Sequence, residues 1–196
     1  MTRSRVTRAL KTLRRRVAFS LGEVLVAITV FAIVAAMVIP TINARVSAAR
    51  GHTLARELSD LATGLQNFYS NVGTYPRFLD MLSSLATNTQ SYCGTNLSPI
   101  NLTAGQQAKW RGPYVSRTIS GNTNYTIDGG LVVDTLKRDA AVTPVFLVIS
   151  IRGVDSDVAN VAEETIDGPG ANFLSGNFRW DGVDATFRIT VPTTCT

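Results

Sequence analysis

The residue most in need of a chemical explanation is Glu23, the one charge in the run FSLGEVLVAITVFAIVAAMVIPTI from Phe19 to Ile42. A carboxylate at the centre of a bilayer costs about 2.5–3.5 kcal/mol, so it needs a partner or must reach the headgroups from near a helix end. A second concentration of acids, Asp155, Asp157, Glu163, Glu164 and Asp167, follows an apolar stretch late in the chain and reads as an acidic loop. Such acids form a solvated surface or, in principle, a hydrolytic pair. No Gly-x-Ser-x-Gly elbow, His-Glu-x-x-His or phosphate-binding Gly-Lys-Ser/Thr loop accompanies them. His52, the single histidine, lies among polar residues and reads as solvated, and Trp110 and Trp180 read as core or interface. The residue types point away from catalysis and towards a structural or binding role.

Charge distribution sets the topology of whatever holds Glu23. The chain carries 19 Lys+Arg against 14 Asp+Glu for a net charge of +5. Arg3, Arg5, Arg8, Lys11, Arg14, Arg15 and Arg16 all precede residue 18, and without them the chain is slightly acidic. The basic balance therefore belongs to a short leader, and no direct nucleic-acid site is identified. The apolar run is long enough, at about 1.5 Å per residue, to cross a hydrocarbon core of about 30 Å. The cations ahead of it place residues 1–18 in the cytoplasm and the remainder outside. A secretory signal would be shorter and would end in a small-residue cleavage site. Here Ala35 and Ala36 are followed by Met37, Val38, Ile39 and Pro40.

The junction Val17-Ala18-Phe19-Ser20-Leu21-Gly22-Glu23 resembles the processing site of type IV prepilins and type II secretion pseudopilins. The shared features are a basic leader, a small residue, a Phe, and a Glu five places into the mature chain before unbroken apolar sequence. The resemblance implies cleavage by a prepilin peptidase between Ala18 and Phe19, with N-methylation of Phe19. It gives Glu23 a partner, the new terminal ammonium of a neighbouring subunit, and so a role in assembly. Pro40 stands where these families often carry a proline in the membrane helix, and proline kinks or locally melts a helix. Ala18 stands where Gly is usual, and Gly22 where a larger residue is usual, which lowers helix propensity locally.

After Pro40 the helix continues with changed character. Leu54, Leu58, Leu61, Leu65 and Phe68 recur at spacings of four and three, one apolar stripe. Gly73 and Pro76 mark its end, so a helix over 19–70 is expected, its first half for membrane and filament core and its second backing a domain. The remainder, 71–196, reads as a loop-rich domain with a small antiparallel sheet. A short helix is expected over 79–85, and Gly129-Gly130 signals a hairpin between 124–128 and 131–135. Residues 145–151 form the firmest strand, and 178–180 and 186–191 pair across Asp181-Gly182. The expected fold class is α+β and pilin-like, a long N-terminal α-helix packed by its second half against a small antiparallel sheet. The organisation is a leader over 1–18, an apolar half-helix over 19–42, an amphipathic half over 43–70 and the domain over 71–196.

Gly73-Thr74-Tyr75-Pro76 and Trp110-Arg111-Gly112-Pro113-Tyr114-Val115 look like segments of the major pseudopilin of type II secretion systems, although the Asp-Pro-Trp-Gly stretch usual after the second is missing. In that family a late acidic loop binds calcium, which implies Asp155, Asp157 and Asp167 as ligands here. Calcium takes six to eight oxygens, and the spacing matches no EF-hand. Cys93 and Cys195, the only cysteines, lie in the exported part, where disulfides persist. Type IV pilins carry a disulfide near the C-terminus, which implies a bridge between them, two free thiols being the alternative. The implied partners are further copies in a homo-oligomeric filament, the prepilin peptidase, an inner-membrane assembly platform with its ATPase, minor pseudopilins and the membrane. Two function classes remain: a filament subunit, pseudopilin or type IV pilin, and an uncleaved bitopic anchor presenting a binding domain.

Overall fold

A computed structural model describes residues 20–85, 88–92, 98–119, 124–127, 130–139 and 144–192. Its first element, α1, is an α-helix over Leu21–Val72. The chain divides into two units, Met1–Ile42 and Asn43–Thr196. In the first, every described residue is exposed. Leu21, Phe31 and Met37 are 84%, 74% and 71% exposed. An 18-residue window of α1 has a mean hydropathy of 2.6 and no buried residue. Pro40 lies inside the helix, which is unbroken across it, although proline has no amide hydrogen for the preceding turn.

The second unit begins where apolar residues retreat to one stripe. Gly51, Leu54, Ala55, Leu58, Leu61, Gly64, Leu65, Phe68 and Val72 are buried, spaced by three, four or a single residue, as one face of a 3.6-residue period requires. Two members of the stripe are glycines because another chain segment approaches closely. A Cβ on Gly51 would lie 2.6 Å from Val161 Cβ, and one on Gly64 would lie 2.8 Å from Val115 Cγ1. The helix stops at Gly73, whose φ of 84° is the left-handed cap that favours glycine, and the Gly73 amide donates to the Tyr69 carbonyl at 2.8 Å.

Two antiparallel sheets complete the domain. In the smaller, β1 (Tyr75–Pro76), β2 (Gln90–Tyr92) and β3 (Ile100–Asn101) run in that order. Between β1 and β2 the expected short helix is a single 3-10 turn, Leu79–Leu82. A five-residue helix, α2 (Ala104–Ala108), is closed by a capping box between Thr103 and Gln106. The larger sheet has the order β4 (Tyr125–Ile127), β5 (Gly130–Val132), β7 (Phe146–Arg152), β9 (Ala185–Thr190) and β8 (Phe178–Trp180), with β6 (Lys137–Asp139) on the same edge of β7 as β5. The two expected hairpin pairings, β4 with β5 and β8 with β9, are present.

Strand β7 is central. Leu147, Ile149 and Ile151 are buried while Phe146, Val148 and Ser150 are half-buried. This alternation gives one face to the same core as the α1 stripe, a single cluster that includes Leu58, Phe68 and Phe178. The protein is α+β, with a long helix whose C-terminal part joins the core of an antiparallel domain.

The acidic stretch is not a loop. Residues Ser156–Asp167 form α3, preceded by Asp155 in an extended conformation and ended by Gly168 at φ 96°. Asp155, Asp157 and Glu164 are exposed, Asp167 is half-buried, and Glu163 is buried with Val158, Ala159 and Ala162. Helical periodicity thus overrides the high charge of the segment.

Candidate assembly site

Ser20 and Glu23 close the N-terminus of α1. The Ser20 amide donates to Glu23 Oε2 at 2.9 Å, and the Glu23 amide donates to Ser20 Oγ at 3.2 Å. The Ser20 carbonyl accepts from the Val24 amide at 3.2 Å. This is a capping box, and it satisfies amides that a helix start otherwise leaves without partners. The pattern Ser-x-x-Glu before an apolar run carries that signal, which the resemblance at the same residues obscures. Glu23 is exposed and shares a face of α1 with Ala27 and Phe31, four and eight residues on. Ala18 and Phe19, the expected processing and methylation residues, lie outside the described residues.

The three implied calcium ligands are not brought together. Asp155 precedes α3 and Asp167 is the last of its twelve residues, a separation along the axis of about 18 Å. Asp155 and Asp157 are exposed. The Asp167 carboxylate instead accepts from the Asn177 amide at 2.9 Å and the Phe178 amide at 2.8 Å, tying the end of α3 to the start of β8. One turn earlier, Glu163 is buried, and burial together with the charge of Asp167 raises its pKa above the ordinary value. Among the described residues no group of three or more His, Cys, Asp or Glu could hold a metal ion. Cys93 and Cys195 both lie outside the described residues.

The two other motif segments buttress the end of α1. Tyr75 stacks on Tyr69 with centroids 4.6 Å apart, and Thr74 is fully buried. Trp110 Nε1 donates to the Met81 carbonyl at 3.0 Å, and the Tyr114 amide donates to the Leu82 carbonyl at 2.7 Å. The Tyr114 ring meets Phe68 and Trp110 edge-on at 5.6 and 5.8 Å. Gly112 has no side chain because the Trp110 ring fills the space, 2.3 Å from where a Cβ would stand. Trp180 donates to the Val154 carbonyl at 3.1 Å. Both tryptophans are partly buried and packed on the core. His52 is exposed, as expected, and its Nδ1 lies 3.0 Å from Thr165 Oγ1 of α3.

The sequence reading missed a pair joined by the larger sheet. Arg188 of β9 is ion-paired with Asp139 of β6, and its guanidinium lies 4.3 Å from the centroid of the Phe146 ring. Arg117 bridges to Glu57 of α1 at 3.1 Å beside an open cavity of about 230 Å³ lined also by Asp60, Leu61 and Tyr125. Tyr125 has its hydroxyl pKa raised by burial first and by Glu57 second.

No family model, curated protein or solved structure matches this chain.

Proposed function

We propose that this chain is a structural subunit of a type II secretion pseudopilus in the bacterial inner membrane, processed by a prepilin peptidase and polymerised through the first part of α1. The observation that carries the reading is the contrast within one helix. Its N-terminal stretch exposes Leu21, Phe31, Met37 and their neighbours, while its C-terminal stretch is built into a folded core. Apolar surface of that extent needs a bilayer or other helices around it. A chain that occupies the bilayer first and a helical bundle afterwards satisfies the same surface in both states.

In this reading Glu23 exchanges partners. In the single subunit it accepts from its own Ser20 amide; in the filament the terminal ammonium of a neighbour at Phe19 takes that carboxylate and fixes the axial register. The platform and ATPase supply the lifting force, and minor pseudopilins begin the filament. A type IV pilin serving adhesion, motility or DNA uptake is the alternative. Glu23→Ala should leave peptidase cleavage intact and reduce filament yield; a normal yield would contradict the ion-pair role.

The capping box favours a second reading, because it gives Glu23 a local partner without any neighbour. The chain is then an uncleaved bitopic anchor carrying a binding domain outside the cytoplasm. The basic leader directly before Phe19 and its resemblance to a prepilin junction support the first reading over this one.

A further inference from the structure

The exposed large apolar side chains of α1 end at Val46, and the helix first buries a residue at Gly51. Over 43–50 no residue is buried. The last part of this stretch carries Arg45, next to Val46, and Arg50, four residues after it, both exposed. No acid stands between Glu23 and Glu57, so neither arginine has an acidic neighbour three or four residues away on the helix to neutralise it. The ion pairs formed among the described residues are Arg117 with Glu57 and Arg188 with Asp139, and neither includes Arg45 or Arg50. The helix thus passes from an apolar surface to a folded core through a short collar whose only charges are two unpaired cations.

That sequence of surfaces matches the border of a bilayer. The headgroup zone on each side of the hydrocarbon core is about 5–8 Å deep. Arg45 is level with the last exposed apolar residue, and Arg50 is about 6 Å beyond Val46 along the axis, so both guanidiniums reach the zone on their long apolar stems. Their Cα atoms lie about 140° apart around the helix, so each meets a different lipid. A guanidinium holds two phosphate oxygens at once through its planar fork. Arg56, about 15 Å beyond Val46, lies outside the zone.

We propose that Arg45 and Arg50 bind the phosphate groups of anionic phospholipid in the leaflet from which the folded domain emerges, and so set the depth of α1 in the membrane. Continuity of the collar with the exposed apolar surface favours lipid over the acids of a second copy. The inference rests on α1 crossing a bilayer, which both readings above require, and not on filament assembly.

The test places the full chain, one copy per disc, in nanodiscs of phosphatidylcholine containing increasing phosphatidylglycerol, and follows the Nε–H resonances of Arg45 and Arg50. A saturable shift in both is expected, with each guanidinium preferring phosphatidylglycerol about fivefold and the preference falling at high salt. Sodium phosphate added to discs of phosphatidylcholine alone should not reproduce it. A water-soluble paramagnetic agent reads depth: phosphatidylglycerol should change the broadening of the amides over 43–46, Arg45→Gln/Arg50→Gln should abolish that change, and Arg56→Gln should leave it intact. Amides over 24–39 that are shielded from the agent while both arginine resonances ignore phosphatidylglycerol would overturn the proposal and leave the membrane reading standing; unshielded amides there would overturn both. An equal shift with soluble phosphate, or an undiminished depth response in the double variant, would also overturn the proposal.

Discussion

The Glu23 carboxylate accepts the Ser20 backbone amide at 2.9 Å while the Ser20 hydroxyl accepts the Glu23 amide at 3.2 Å. The one acid of the apolar run therefore has a partner within its own helix before any neighbour arrives. The cap and the proposed role as inter-subunit counter-ion separate by chemistry. Glutamine serves a capping box as well as glutamate but carries no charge. Glu23→Gln should keep amide-exchange protection at residues 21–24 and lose filaments. Ser20→Ala should weaken the helix start by about 1 kcal/mol, seen as faster exchange there. Filaments assembled normally by Glu23→Gln would reduce the residue to a cap.

Asp167 holds α3 to β8 through two charge-assisted hydrogen bonds to the Asn177 and Phe178 amides. Hydrogen bonds to charged groups contribute about 1.5–3 kcal/mol each when buried, and the partial exposure of this pair points to the lower end. Asp167→Asn should lower the melting temperature of the full chain by the same amount with calcium as with a chelator. A loss seen only with calcium present would return Asp167 to a metal-binding role.

Glu163 supplies the pH dependence. Burial and the charge of Asp167 raise its folded-state pKa, so the folded chain binds this proton more tightly than the unfolded one. Its contribution to stability is fully present below the unfolded carboxyl value and is lost as pH rises through the folded one. Glu163→Gln should therefore raise the melting temperature more at pH 7 than at pH 4. Thermal melts at both values check the sign, and an equal change at both would show that the folded pKa is unshifted.

Much of this architecture is written in local periodicity. Leu54, Leu58, Leu61, Leu65 and Phe68 repeat as only a helix requires, and Gly73 ends the repeat with a conformation that favours glycine. The alternation of Leu147, Ile149 and Ile151 marks a strand half-covered by a core. In α3 the apolar positions Val158, Ala159 and Ala162 carry the same helical spacing, yet small alanines among four acids make a weak stripe and the segment reads as a loop. Strands β1 to β3 are two or three residues long and partly polar, too short for any period to register. The Arg188–Asp139 pair depends on register between strands far apart in the chain, which no local pattern encodes. In the candidate assembly site the lone acid and its apolar setting are legible, whereas its capping partner emerges only when Ser20 is read as the start of the helix.

The most direct test of the filament-subunit account is the N-terminal mass of the chain recovered from membranes of cells with and without a prepilin peptidase. The account predicts a chain beginning at Phe19, methylated, only where the peptidase is present. A chain that keeps residues 1–18 in both would contradict it and leave a bitopic anchor.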